Sequence, residues 1–233
     1  MIITIHQPQY MPWLGYFDKI RQADIFIILD NVQFKKNEWQ NRNRIRTAQG
    51  WQWLTVPVLH DFGQLINEIA VNNKETWRRS HLKAIELNYR KAPFFDVYFH
   101  YFEKLYNAEF EKLVDINVRS VVLLMELLGI KTKVVLAREY EATEHTTLRL
   151  VDLCKHFQAE SYLSGEGGEK YLDMSQFQSA GINVRIQKYK HPVYSQVWAG
   201  RDGGDFVPCL SVIDLLFNKG PESLSVLSEG NIV

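Results

Sequence analysis

The sequence predicts an α/β fold: a doubly wound, mostly parallel sheet elaborated by a β-hairpin and a helical insertion. Three observations carry this expectation. Short apolar, β-branched runs alternate with helical patterns at both ends of the chain. From Asn43 the pattern changes to that of an antiparallel hairpin, and residues 75–130 are then almost continuously helical. At 233 residues the chain is long enough to bury a full α/β core and still carry such an elaboration.

Ile2–Ile5 has no polar position except Thr4, the pattern of a strand buried on both faces. After a proline-containing loop, Leu14–Ile20 reads as a short helix and Ile25–Leu29 as a second buried strand. Strand, loop, helix and strand in so few residues make a βαβ unit, whose right-handed crossover leaves the strands parallel. Arg44-Ile45-Arg46, a turn at Gln49-Gly50 and Trp51–Val58 form the hairpin. In the insertion, Leu82, Ile85, Glu86 and Tyr89 recur at helical spacing and Pro93 breaks the run. Leu113–Leu128 is then a strongly apolar helix ended by Gly129. Lys133–Ala137 is a strand, followed by a helix capped by Thr146 or Thr147 that reaches Phe157, and by the strand Ser161–Ser164. A helix over Glu169–Ala180 with Gly181 beyond its end, the strand Val184–Tyr189 and a helix over Ser211–Asn218, closed near Gly220 and Pro221, complete the pattern. Five parallel strands result, with the first in the centre. No repeat or low-complexity linker divides the chain, so residues 1–233 are expected to form a single α/β domain with 75–130 as an insertion within it.

Lys plus Arg and Asp plus Glu both total 27, so no net field steers a polyanion, which argues against generic nucleic-acid binding. Aromatics make up 13%, enough for a dense core or a site that stacks on flat ligands or sugar rings. Cys154 and Cys209 lack CxxC spacing; they either pair or, as the leading reading, are two buried free thiols of a reducing cytosol. Met1–Ile5 meets polar residues too soon for a signal peptide, and Val121–Leu128, broken by Glu126, is too short to span a bilayer. The expectation is a cytoplasmic protein without a membrane span.

In a doubly wound sheet, ligands bind beyond the carboxyl ends of the strands where strand order reverses. His6, Gln7, Gln9, Tyr10 and Trp13 follow the first strand, and Asp30, Asn31 and Gln33 the second. Ser164-Gly165-Glu166-Gly167-Gly168 follows the fourth strand, and His191, Tyr194 and Gln196 follow the fifth. Four separate segments thus bring polar and aromatic groups to one rim. His6 is either an acid/base group or a histidine satisfied by backbone; Tyr10 and Trp13 are either stacking platforms or core anchors. The glycine-rich segment either cradles an anion on backbone N–H groups or makes a tight turn. Lys35–Arg46 carries five basic residues against one acid, with Trp39, Asn41 and Asn43 interleaved. It reads as a phosphate or carboxylate clamp centred on Arg42, or as a solvated face. Histidine spacing offers no metal site, and no Ser–His–Asp signature appears.

These residues carry a resemblance. His6-Gln7-Pro8-Gln9-Tyr10-Met11-Pro12-Trp13-Leu14-Gly15-Tyr16-Phe17, Asp30-Asn31-Val32-Gln33-Phe34, Asn41-Arg42-Asn43, Tyr162–Gly168 and Leu210–Asn218 resemble the WbqC-like family, over essentially the whole chain. That bacterial group is associated with surface-polysaccharide and O-antigen gene sets, so the resemblance implies glycan-precursor metabolism. A looser similarity in layout to nucleotidylyltransferases and pantothenate synthetases implies a Rossmann-like sheet of the HUP type. Trp13-Leu14-Gly15-Tyr16 stands where those enzymes carry His-x-Gly-His, so both histidines are replaced by aromatic residues. The leading expectation is an enzyme acting on an amino or nucleotide sugar by acyl or other group transfer. In it His6 is catalytic, and Gln7, Tyr10, Trp13, Asp30, Gln33, Asn41, Arg42, Asn43, Ser164, Gly165, Gly167, Gly168, His191 and Tyr194 bind substrate. The rival is a non-catalytic sugar- or nucleotide-binding protein of a biosynthetic complex. The sequence names neither cofactor nor oligomeric state.

Overall fold

A computed structural model describes residues 1–200 and 205–232. In chain order the first elements are β1 (Ile2–His6), α1 (Leu14–Arg21), β2 (Ile25–Ile28), the hairpin β3 (Arg42–Thr47) and β4 (Gly50–Thr55), and the short strands β5 (Val58–Leu59) and β6 (Ala70–Val71). Three helices follow, α2 (Trp77–Tyr89), α3 (Phe95–Asn107) and α4 (Leu113–Leu128). The chain ends with β7 (Lys133–Leu136), α5 (Thr146–His156), β8 (Ser161–Ser164), α6 (Met174–Ser179), β9 (Asn183–Ile186), α7 (Ile213–Lys219) and α8 (Ser223–Glu229).

The main sheet has the order β7-β2-β1-β8-β9, every pair parallel, so the first strand lies in the centre as expected. This is the Rossmann-like arrangement. The apolar runs of β1 and β2 are continuous because both faces are covered, and alternate side chains serve opposite layers. Phe26 and Ile28 pack into one core with Phe17 and Ile20 of α1, Leu124 of α4 and Phe217 of α7. Ile3, Ile5 and Ile27 face the other way, against Leu150 and Leu153 of α5 and Phe177 of α6. The polar exception in β1 is satisfied: Thr4 Oγ1 donates to the Leu163 carbonyl at 2.8 Å.

Several boundaries differ from the sequence expectation, each for a local reason. Helix α5 is capped by His145, whose Nδ1 accepts the Leu148 N–H at 3.5 Å; Thr147 Oγ1 instead accepts the Asp173 N–H at 3.2 Å. The helix expected over Glu169–Ala180 is split into a 3-10 turn, Glu166–Lys170, and α6, because the Asp173 carboxylate caps Ser175 at 3.0 Å. The fifth strand is shifted to Asn183–Ile186. Strand β4 stops at Thr55 before Pro57, and Val58–Leu59 pairs with Ala70–Val71 instead. Helix α7 starts at Ile213, and α8, which follows a 3-10 turn at Gly220–Glu222, was not expected at all. Both cysteines are free thiols, but only Cys154 is buried. No described helix is long and apolar enough to cross a membrane.

Candidate functional site

Strand order reverses between β1 and β8, because β1 runs on to α1 on one face whereas α5 and α6 cover the other. Diverging connections leave a crevice at the carboxyl ends of these strands. His6, the last residue of β1, stands in it as a partition between two cavities. A cavity of about 400 Å³ lies on the α5 side, walled by Gln7, Gln33, Lys35, Arg149, Tyr162 and Tyr171 among others. A second, of about 220 Å³, lies over the start of α1, walled by Trp13, Tyr16, Lys19, Gly165, Gly167 and Gln187 among others.

Sequence reasoning passed over Lys19, and it is the most unusual group in the crevice. Its side chain is 2% exposed, and its ammonium donates to the Ile5 carbonyl at 3.3 Å. Neighbouring Asp18 does not neutralise it. That carboxylate takes Arg21 at 2.8 Å, Gln22 at 2.7 Å and Gln187 at 2.7 Å. None of the ion pairs among the described residues includes Lys19. Burial therefore lowers its pKa to about 7. Burial, and then the charge of Lys19, lower that of His6 to about 3. His6 Nδ1 lies 3.1 Å from the Gln7 carbonyl oxygen, and its ring meets the edge of Tyr16 at 5.0 Å. At neutral pH His6 is an uncharged imidazole, while Lys19 is divided between its two protonation states.

On the larger cavity, Arg149 donates to the carbonyls of Thr143 at 3.0 Å, Asn31 at 3.3 Å and Glu144 at 3.2 Å. These bonds hold two loops in place, and no described carboxylate pairs with its charge. Lys35 adds a second cation to the cavity wall, which also carries Glu144. Lys35 opens the basic run expected to clamp an anion, whereas Arg149, Tyr171 and Gln187 escaped sequence reasoning. Gln187 follows β9 directly but falls inside the strand expected to run to Tyr189, and the other two lie in no recognisable pattern.

Among the sequence candidates, the crevice gathers His6, Gln7, Trp13, Gln33, Gly165 and Gly167. Ser164 lies beneath it, with its hydroxyl on the Gly165 carbonyl at 3.2 Å, and Gly168 is buried with its N–H on the same carbonyl at 2.9 Å. A Cβ at Gly168 would collide with Ser164 Oγ and press on Leu172 at 3.1 Å, so close packing requires glycine there. Gly168→Ala is expected to cost about 1–3 kcal/mol, measurable by chemical denaturation.

Other candidates lie elsewhere. Tyr10 is fully buried, bonded to His81 and to the Tyr106 hydroxyl. Asp30 is buried in an ion pair with Arg138 at 3.0 Å. Asn41 donates to the Val56 carbonyl at 3.1 Å, closing the base of the hairpin, and Asn43 donates to the Met11 carbonyl at 2.8 Å, tying the hairpin to the loop after β1. Arg42 lies 4.3 Å above the Trp53 ring on that hairpin. His191 stacks on Trp13 at 6.4 Å with Nδ1 near the Pro192 carbonyl, and Tyr194 donates to Asp214 at 2.8 Å. In place of the two histidines of the nucleotidylyltransferase layout, Trp13 folds over Gly15 against Tyr189, and Tyr16 donates to the Gln7 carbonyl at 3.2 Å. No group of three or more His, Cys, Asp or Glu residues suited to a metal occurs among the described residues.

Comparison with known proteins agrees with the motifs. The uncharacterized protein Rv1507c of Mycobacterium tuberculosis is 37% identical over 225 residues, covering 95% of each chain. No solved structure matches. A family model described as the WbqC-like protein family matches residues 7–226, so the chain belongs to the WbqC-like protein family.

Proposed function

We propose that the chain is an enzyme of bacterial surface-glycan precursor biosynthesis that transfers an acyl or related group onto an amino sugar, itself carried on a nucleotide. One observation carries the reading: two cavities meet at His6, and a buried lysine with a pKa near 7 opens into one of them. The larger cavity, with two cations, Arg149 and Lys35, against one acid, Glu144, on its wall, suits the phosphate-bearing partner. The smaller one suits the group to be transferred, and brings it to the sugar amine beside His6.

Acyl transfer to an amine forms a C–N bond, breaks the bond from the acyl carbon to its leaving group, and releases a proton from nitrogen. Neutral Lys19 accepts that proton, because a base whose pKa lies near the working pH combines availability with strength. His6, too weak a base for that task, orients the reacting groups by hydrogen bonding. His6→Asn keeps an amide in its place. It should preserve the fold and ligand binding and lower turnover by about tenfold, the scale of one lost orienting hydrogen bond. Mass spectrometry of a nucleotide-linked amino sugar, chosen by thermal-shift screening with acyl thioesters, measures both. A loss confined to KM would make His6 a binding residue only.

A non-catalytic sugar- or nucleotide-binding protein is the second reading. It is favoured by the bonding of His6, Lys19 and Arg149, all of which hydrogen-bond to backbone carbonyls. Binding of nucleotide sugars without turnover of any, at any pH from about 6 to 9, would establish it over the enzyme.

A further inference from the structure

The hairpin β3–β4 exposes an uncommon surface. Trp39, Trp51 and Trp53 are 38%, 44% and 36% exposed, far more than indoles usually are. Trp53 stands between the other two, 5.7 Å from Trp39 and 5.4 Å from Trp51. Two guanidiniums lie on the rings: Arg42 over Trp53 at 4.3 Å, and Arg44 over Trp51 at 5.0 Å. No described carboxylate pairs with either arginine. Burial against the core does not account for the ladder, since Asn43, Ile45 and Leu54, which face the interior, lie on the opposite side of this strand pair.

The ladder continues the crevice outward. Trp39 walls a small cavity of about 210 Å³ together with Gln7 and Lys35, which also wall the larger cavity. Into this link projects Gln9, 9% exposed, whose side-chain carbonyl oxygen has no hydrogen-bond partner among the described residues. A buried amide oxygen without a donor is costly unless a ligand supplies one. Hydroxyl groups would.

We propose that the Trp39–Trp53–Trp51 ladder, with Arg42 and Arg44, is a binding site for an acidic oligosaccharide whose one end reaches Gln9. The C–H faces of sugar rings carry slight positive charge and stack on the negative faces of indoles. Carboxylates on the same chain pair with the guanidiniums, and its hydroxyls reach the Gln9 oxygen. The rings are inclined at 49° and 81° to their neighbours, so they offer faces in different directions. A saccharide that turns at each glycosidic bond follows such a course, whereas a stack of parallel bases does not. The charge agrees: Arg42, Arg44 and Lys35 outnumber the one acid at this surface, Glu38, which suits a few carboxylates and not a polyphosphate that needs a broad basic face. The assignment needs only this surface, and not the group transfer proposed for the crevice.

Titration calorimetry and tryptophan fluorescence of the full chain, with tetragalacturonate, maltotetraose and oligouridylate of the same length, test it. Tetragalacturonate is expected to bind best and to quench the emission. Trp53→Ala should weaken it by about tenfold or more, and Trp53→Phe by less, with the same fold by circular dichroism. Arg42→Gln combined with Arg44→Gln should remove the preference for tetragalacturonate over maltotetraose with the fold kept by circular dichroism, at some loss of stability because Arg44 also donates to the Cys209 carbonyl at 3.2 Å. The proposal is overturned if tetragalacturonate does not bind, if Trp53→Ala binds it normally, or if oligouridylate binds more tightly.

Discussion

Asp214→Ala is expected to lower the unfolding free energy by about 3–5 kcal/mol and the melting temperature by roughly 6–20 °C. Asp214 stands in the first turn of α7, fully buried. Its carboxylate accepts from Tyr89 at 3.0 Å, Tyr194 at 2.8 Å and Gln196 at 2.8 Å. Tyr89 in turn accepts the Arg46 N–H at 2.9 Å, so one carboxylate joins α2, the hairpin, α7 and the segment after β9. Alanine would strand three buried donors. Burial is also the largest influence on the acid itself, raising its pKa to about 6. The folded state therefore holds a proton that the unfolded state releases above a pKa of 3.8. Stability from this group is greatest below 3.8, falls as pH rises, and is flat above about 6. Asp214→Asn abolishes that dependence. The stability difference between wild type and Asp214→Asn should shift against the wild type by about 1 kcal/mol between pH ~5 and pH ~7, as read from urea denaturation.

The main sheet was legible because its signal is local and redundant. Ile25-Phe26-Ile27-Ile28 has no polar position, which only a strand covered on both faces tolerates, and its alternate residues enter two different cores. Element ends were less legible, since caps depend on distant partners. Asp173 ends the 3-10 turn and starts α6, yet in sequence the stretch is one helical pattern. Helix α8 was missed because its apolar face is sparse, and packing against α7 and α1 stabilises it more than its own composition does.

The candidate crevice was legible in position and less so in the residues that line it. That a crevice opens after β1 and β8 follows from topology, and the places of His6, Gln7 and Gly165 in its wall follow directly from being at strand ends. Tyr10 and Trp13 lie three residues apart in one loop, yet Tyr10 turns into the core and Trp13 to the crevice wall. The sequence contains nothing that separates them, because the direction is set by His81 and Tyr106, distant in the chain. Lys19 was hidden by its neighbour. Asp18-Lys19 in a short helix reads as a solvated pair, and only Gln187 and the packing of α8 on α1 show that both residues are enclosed.

Lys19→Met should separate function from stability more sharply than any other single change. Methionine fills nearly the same volume without an amine, so the crevice keeps its shape. If Lys19 receives the proton released in group transfer, turnover falls by ~100-fold or more while the nucleotide sugar still binds. The wild-type rate should rise with pH through about 7 as the lysine loses its proton, and the residual rate of the variant should lack that inflection. Stability should move the opposite way. Enclosure holds the lysine pKa at about 7 against 10.5 for a free lysine. Below 7 both states are protonated and the folded protein bears the full cost of a buried charge. As pH rises from 7 to 10.5 only the unfolded state binds the proton, and the cost disappears. That cost is on the order of 5 kcal/mol at most. Lys19→Met is therefore expected to melt higher than wild type at pH ~7, with the advantage shrinking by pH ~9. A variant that melts higher yet keeps its turnover would remove Lys19 from the chemistry. One that melts lower would show that the amine's bond to the Ile5 carbonyl, which ties α1 to β1, outweighs its desolvation.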